Sequence, residues 1–71
     1  MKYYIKMYDK QFNRTKYKQY KCIDGFNANK ELCWKFSKQG ALKIIERLTD
    51  KDRSEYRRNL HNLEFSLEAA E

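Results

Sequence analysis

The sequence predicts an α+β domain in which a three-stranded antiparallel sheet is covered on one face by a helix and followed by a second helix, in the order β-β-β-α-α. Within the first 37 residues, apolar side chains alternate with polar ones as in half-buried strands. After Ser37 they recur every three or four residues, as in amphipathic helices. At 71 residues, we expect one small domain spanning 1–71, with a basic sheet part over 1–37 and a helical part over 38–71.

The first two strands are predicted on either side of a polar loop. Alternation is clearest over residues 2–8, and a second alternating run covers residues 15–23. The residues between them are polar apart from Phe12 and predict a hairpin loop. Asp24-Gly25 then predicts a turn, because both residue types tolerate positive φ.

A third strand and a helix are predicted from the middle of the chain. Leu32, Trp34 and Phe36 alternate with Cys33 and Lys35. Ser37 directly afterwards is a good N-cap for a helix over Lys38 to Leu48. We therefore expect the sheet to pack on one stripe of this helix. The predicted core comprises Ile5, Met7, Tyr20, Cys22, Leu32, Trp34 and Phe36 from the sheet and Ala41, Leu42, Ile44, Ile45 and Leu48 from the helix.

The C-terminal part allows two interpretations. Thr49 and Asp52 have the spacing of a capping box, and an apolar stripe then follows at helical spacing, which favours a second helix to about Ala69. The alternative is a helix over 51–61 followed by a short strand, because apolar residues also alternate over 63–67. The stripe is a candidate homodimer contact and consists of Tyr56, Leu60, Leu63 and Leu67.

Charge and aromatic side chains are concentrated in the first half of the chain. Residues 1–38 carry ten Lys or Arg against three acidic residues and hold nine of the eleven aromatic rings, whereas residues 39–71 carry six basic residues against seven acidic ones. Positive charge interleaved with rings is typical of a nucleic-acid-binding surface, although Lys and Tyr are also ordinary on a solvated strand.

The predicted contact residues lie on the sheet face that the helix leaves open and on the adjoining hairpin. Lysines there would neutralise phosphates, and tyrosines would hydrogen-bond phosphates or stack on bases. Both insertion into a duplex groove and a platform for a single strand are compatible with this face. The candidate residues are Tyr4, Lys6, Tyr8, Arg14, Lys16, Tyr17, Lys21 and Lys35.

The sequence gives little support for a catalytic or metal-binding function. Cys22 and Cys33 match neither a redox pair nor a zinc half-site, and His61 is the sole histidine. No group accompanies them to orient a nucleophile and its base, so we expect neither an enzyme nor a bound metal or cofactor. The chain also has no membrane-spanning stretch or secretory h-region, which favours a cytoplasmic protein.

Two resemblances add to this interpretation. The run Trp34-Lys35-Phe36-Ser37-Lys38-Gln39-Gly40-Ala41-Leu42-Lys43-Ile44-Ile45, with Tyr3-Tyr4-Ile5-Lys6, resembles small uncharacterised proteins of phages and prophages of Gram-positive bacteria. The entry into the helix, from Phe36-Ser37-Lys38 to Ala41, is loosely similar to the arm-binding N-terminal domain of phage-type integrases, although no recombinase domain follows. The integrase resemblance implies DNA binding through the sheet.

The sequence thus predicts a small non-enzymatic protein of phage type that contacts nucleic acid, DNA rather than RNA, through its open sheet face. The alternative implied by phage origin is an inhibitor that binds a host protein in the host cytoplasm, such as an anti-CRISPR or other anti-defence protein. The basic face would then dock on an acidic patch of that protein.

Overall fold

A four-stranded antiparallel sheet and one α-helix make up the fold in the computed structural model, which describes residues 1–21, 23 and 25–70. The strand order is β3-β2-β1-β4, so the first and last strands of the chain are neighbours. Two single-turn 3₁₀ helices complete the described part, at Lys30–Leu32 and Leu60–Asn62. The main elements are β1 (Tyr3–Asp9), β2 (Arg14–Lys18), β3 (Phe26–Asn27), α1 (Lys38–Leu48) and β4 (Leu63–Ala69).

The predicted first hairpin is confirmed, but its second strand is shorter than predicted. The Asp9 carboxylate accepts the backbone N–H groups of Gln11 and Phe12 at 2.9 and 3.3 Å, and Asn13 adopts the left-handed φ of 52° that Asn tolerates. Strand β2 ends at Lys18, because the N–H of the next residue donates to the Gly25 carbonyl (2.9 Å) and closes a loop.

That loop changes the expected core. Tyr20, predicted to be buried, is 45 % exposed in it. Cys22 and Asp24, predicted in the core and in a turn, lie outside the described residues.

The third strand predicted over 32–36 is wrong. Asn27 and Asn29 accept backbone N–H groups two residues ahead, at 2.8 and 3.1 Å, and these turns lead into the 3₁₀ helix rather than into a strand. Only Phe36 joins the sheet, through an isolated bridge to Tyr3. Consequently Leu32 and Trp34, predicted core residues, are 60 % and 48 % exposed.

The C-terminal segment is a strand, so the helix preferred to about Ala69 is wrong and the short-strand alternative is confirmed. Strand β4 pairs with β1 along its whole length, from Leu63 opposite Asp9 to Ala69 opposite Tyr3. Both interpretations also placed a helix over residues 51–61. Residues 51–59 instead form turns and contain no helix. Thr49 ends α1 instead of starting a helix, since its hydroxyl donates to the Ile45 carbonyl at 2.8 Å.

The core lies between α1 and one face of the sheet. Its centre contains Ile5 from β1 and Leu48 from α1, both almost completely buried, together with Ala41 and with Phe36 from the bridge. The helix lies where the sequence predicts it, although Leu42 of its stripe is 48 % exposed. Partly buried apolar residues surround this centre: Phe26, Ile44, Ile45, Tyr56, Phe65 and Leu67.

The stripe proposed as a dimer contact therefore contributes largely to the chain's own core. Leu63 is 8 % exposed, and Tyr56 and Leu67 pack against the central cluster. Tyr56 also meets Phe26 edge-on, with ring centroids 5.8 Å apart. Within residues 1–21, 23 and 25–70, no helix has the length and apolar content needed to cross a bilayer.

Candidate nucleic-acid interface

The structure divides the eight predicted contact residues among four places. The register pairs Lys6 with Tyr17 and Met7 with Lys16, so Lys16 lies on the helix-covered side of the sheet and Tyr17 on the open side. Arg14 lies at the hairpin end of β2, with its guanidinium 5.8 Å from the Phe12 ring centroid. The open face holds Tyr4, Lys6, Tyr8 and Tyr17, whereas Lys21 and Lys35 line a groove beside the start of α1.

The tyrosines of the open face are engaged within the protein. Tyr4 is only 9 % exposed and meets Tyr17 edge-on, with the ring centroids 5.8 Å apart and the planes at 65°. The Tyr8 hydroxyl donates to the side-chain oxygen of Asn13 at 2.5 Å. Because Tyr4 is buried and Tyr17 stands edge-on to it, these rings do not form the flat stacking platform that the sequence suggested.

Strand β4 places acidic residues on the same open face. The Glu64 carboxylate pairs with Lys10 at 3.3 Å, and Glu68 pairs with Lys30 at 3.0 Å. These acidic residues were expected on a helix, away from the sheet, and only the β1–β4 pairing brings them beside Lys6 and the tyrosines. The open face is consequently of mixed charge, which weakens its attraction for a polyanion.

Glu68 is the centre of a small polar network on this face. It accepts a hydrogen bond from the Tyr17 hydroxyl at 3.3 Å in addition to its ion pair with Lys30. The hydrogen bond from Lys30 lowers the pKa of Glu68, and the same bond raises the pKa of Lys30. Burial, followed by the nearby Glu68 charge, raises the pKa of the Tyr17 hydroxyl.

A concave surface beside the start of α1, which we call the Trp34 groove, has a different character. It has a volume of about 360 Å³, and none of its described lining residues is acidic. Trp34 is 48 % exposed, and the Lys21 ammonium lies 6.0 Å from its ring centroid. The lining residues are Lys2, Lys21, Trp34, Lys35, Phe36, Ser37, Gly40 and Ile44.

Backbone hydrogen bonds on two sides position the Trp34 groove. The Trp34 N–H donates to the Gln19 carbonyl at 3.1 Å, and Phe36 exchanges two backbone bonds with Tyr3 at 2.7 and 2.8 Å. Ser37 then caps α1 by accepting the Gly40 N–H at 3.2 Å. The segment carrying Trp34 is thereby fixed between the end of β2, the start of β1 and the helix.

Two of the three lysines in this groove were predicted from the sequence as contact residues. Lys21 and Lys35 were predicted, although on the sheet face, whereas Lys2 and Trp34 were not. The available signal was the pair Asn27 and Asn29, because such residues favour turns, and these turns lead into a 3₁₀ helix at the start of the segment predicted as a strand.

Cys33 lies in an environment typical of a cysteine that contributes to packing rather than to chemistry. Cys33 is buried, and its sulfur lies 3.4 Å from the carbonyl oxygens of both Tyr17 and Asn29. Burial raises the pKa of this thiol, so it stays protonated near neutral pH and is a poor nucleophile.

Comparison of the chain with known proteins gives no family assignment. Neither a protein-family model, nor a curated protein, nor a solved structure matches it.

Proposed function

We propose that this protein is a non-enzymatic nucleic-acid-binding protein and that the Trp34 groove is its principal contact. The observation that carries the proposal is the meeting of three lysines, Lys2, Lys21 and Lys35, with an exposed indole in one groove whose described lining contains no carboxylate. Lysines neutralise phosphates and an exposed ring offers a surface to a base, so the groove combines both requirements of nucleic-acid contact.

Electrostatics favour this groove over the open sheet face. On the open face, Lys10 and Lys30 are paired with glutamates of β4, and a phosphate would have to displace those carboxylates. In the groove, Lys21 instead lies beside the Trp34 ring. The formal net charge of +6 adds a long-range attraction for any polyanion and accelerates its encounter with the protein.

A charge-reversal comparison tests the proposal. We expect Lys21→Glu to lower the affinity for a labelled DNA or RNA oligonucleotide by about tenfold or more, because it removes a phosphate contact and adds a repulsive charge. Lys6→Glu on the open face makes the same change of charge and is the matched control, for which we expect a loss of about threefold or less. Fluorescence anisotropy at several salt concentrations measures both.

Two outcomes would contradict this assignment. Equal losses in the Lys6 and Lys21 variants would show that only net charge matters and that the groove is not the contact. Absence of binding to DNA and RNA at low salt would overturn nucleic-acid binding altogether, since phosphate contacts are strongest under that condition.

A second candidate function is binding to an acidic surface of a host protein, as in a phage-encoded inhibitor. The observation that favours it is the exposure of large apolar side chains, with Phe12 and Ile23 both 61 % exposed. A host protein recovered specifically from a nuclease-treated lysate by the wild-type protein, and lost with Phe12→Ser, would support this function in place of the first.

A further inference from the structure

We infer that the Trp34 groove selects single-stranded over duplex nucleic acid, with an unpaired base stacking on the Trp34 ring. This inference rests on the proposed function and specifies its substrate class. Stacking requires an accessible aromatic face and an accessible base face. Trp34 supplies the first, being 48 % exposed in a groove of about 360 Å³.

The shape of the groove favours an unpaired base. Its volume lies in the range of about 300–1,000 Å³ that is typical of sites for small ligands, so a base with its phosphate is of suitable size. In a duplex, each base is covered on both faces by its neighbours, and proteins read its edges through elements that protrude into the grooves. A concave surface cannot make that insertion, whereas it can receive a base from a flexible strand.

The side chains around Trp34 complete such a site. Phe36 and Ile44 provide apolar walls, with Phe36 only 5 % exposed, and lysines at positions 2, 21 and 35 supply the positive charge. Lys21 lies 6.0 Å from the ring centroid, at the outer limit of a cation–π contact. A base can therefore replace Lys21 over the ring while its ammonium moves to the adjoining phosphate.

The tyrosine rings of the open sheet face are less suitable. Tyr4 is buried, Tyr17 stands edge-on to it and donates to Glu68, and the Tyr8 hydroxyl is bonded to Asn13. Trp34 also has the largest stacking surface of any side chain. Its backbone is held by Gln19, so the ring needs no ordering of the main chain on binding.

The experiment uses the intrinsic fluorescence of Trp34, the only tryptophan of the chain. The 71-residue protein is titrated with a mixed-sequence single-stranded oligodeoxynucleotide and, separately, with a blunt duplex of the same length. We expect the single strand to quench the fluorescence and to bind about tenfold more tightly than the duplex. The duplex complex lacks the one base stacked on Trp34, and such a contact contributes about this factor to affinity. It should also protect Trp34 from acrylamide, whereas the duplex should not.

Variants of Trp34 isolate the stacking contribution. Measured by anisotropy, Trp34→Ala should lower single-strand affinity by about 5- to 100-fold while changing duplex affinity little, and Trp34→Phe should retain most of the single-strand affinity. Circular dichroism establishes that both variants are folded. If Trp34→Ala does not fold, the quenching and acrylamide measurements on the wild type still decide the inference.

The outcomes separate this inference from the proposed function. Equal affinity for both oligonucleotides, unchanged fluorescence and a Lys21→Glu variant that loses binding would overturn stacking on Trp34 and leave nucleic-acid binding by the groove intact. Absence of binding to either oligonucleotide would overturn both.

Discussion

Individual residues show how the open face of the sheet is organised around Glu68. This carboxylate joins Lys30 and Tyr17, which come from distant parts of the chain, and the Lys30 ammonium also lies 6.0 Å from the Tyr17 ring centroid. The three groups interact with one another on the surface that the sequence suggested for nucleic acid. Their interaction should be visible in the pH dependence of stability.

Folding lowers the pKa of Glu68 below its ordinary value of 4.5, so the ionised carboxylate stabilises the fold above that pH. This contribution is lost as the pH falls below 4.5 through the pKa of the folded state. We expect Glu68→Gln to melt at a lower temperature than the wild type at neutral pH, and the difference to shrink as the solution is acidified. Thermal unfolding followed by circular dichroism at a series of pH values measures this.

A matched control comes from the other ion pair of the same face. Glu64→Gln removes a pair with Lys10 in which the two side chains are 61 % and 48 % exposed, and such pairs contribute little to stability. We therefore expect a smaller difference from the wild type than for Glu68→Gln. A melting difference for Glu68→Gln that is the same at acidic and neutral pH would contradict the role assigned to its charge.

Among the elements, α1 connects stability with the candidate site, because its N-cap Ser37 also lines the Trp34 groove. Ser37→Ala removes the acceptor of the Gly40 N–H and should cost about 0.5–2 kcal/mol of unfolding free energy. Nucleic-acid affinity should change little, because the substitution leaves the lysines of the groove in place.

Ser37→Asp should retain stability but weaken nucleic-acid binding, the reverse of what we expect for Ser37→Ala. Aspartate caps helices as well as serine does and interacts favourably with the helix N-terminus, so stability should be retained. The added carboxylate lies in the groove and should weaken oligonucleotide binding. Urea unfolding and anisotropy measure the two effects. If Ser37→Asp binds nucleic acid as well as the wild type does, the groove is not the contact surface.

The elements also differ in how far the sequence could predict them. Helix α1 was found with its bounds, and β1 and the loop of the first hairpin to within about one residue, because cap, period and turn signals are local. The end of β2 was missed by five residues. Strand β4 was ambiguous because Leu63 and Leu67 fit both the helical and the strand period. The segment is a strand because it pairs with β1, about sixty residues away in the chain. A local sequence pattern cannot predict such a long-range pairing.

The same limit applied to the candidate site. Lys21 and Lys35 were identified from charge, but their neighbourhood depended on the Phe36–Tyr3 bridge and on the 48 % exposure of Trp34. The glutamates of β4 could not be assigned to the open face until the position of β4 in the sheet was known. Residue types could therefore be predicted, whereas their grouping into surfaces required the sheet order.

At the scale of the whole molecule, the last strand of the sheet, β4, pairs with the first, β1. Strand β1 is central, with β2 on one side and β4 on the other, and the Ala70 N–H donates to the Lys2 carbonyl at 2.9 Å. Three apolar residues of β4, Leu63, Phe65 and Leu67, are buried or partly buried on the core side. Without β4, the central cluster would therefore lose the apolar side chains that pack against it from this strand.

A truncated chain that ends at Asn62 should consequently be unfolded. A domain of 71 residues has a stability of about 4–10 kcal/mol, at about 0.05–0.15 kcal/mol per residue. Fully burying one large apolar side chain contributes about 1.5–3 kcal/mol, so losing three of them, even partly buried, together with the β1–β4 pairing removes most or all of that stability. Circular dichroism and thermal unfolding should show no cooperative transition.

The 71-residue chain, measured under the same conditions, is the control and should melt cooperatively. Adding a synthetic peptide of residues 60–70 to the truncated chain should restore a cooperative transition, because the peptide supplies both the β1 partner and the missing apolar side chains. If the chain ending at Asn62 melted cooperatively by itself, β1, β2 and α1 would already form a sufficient core. Strand β4 would then be an addition to a fold closer to the one that local patterns predict.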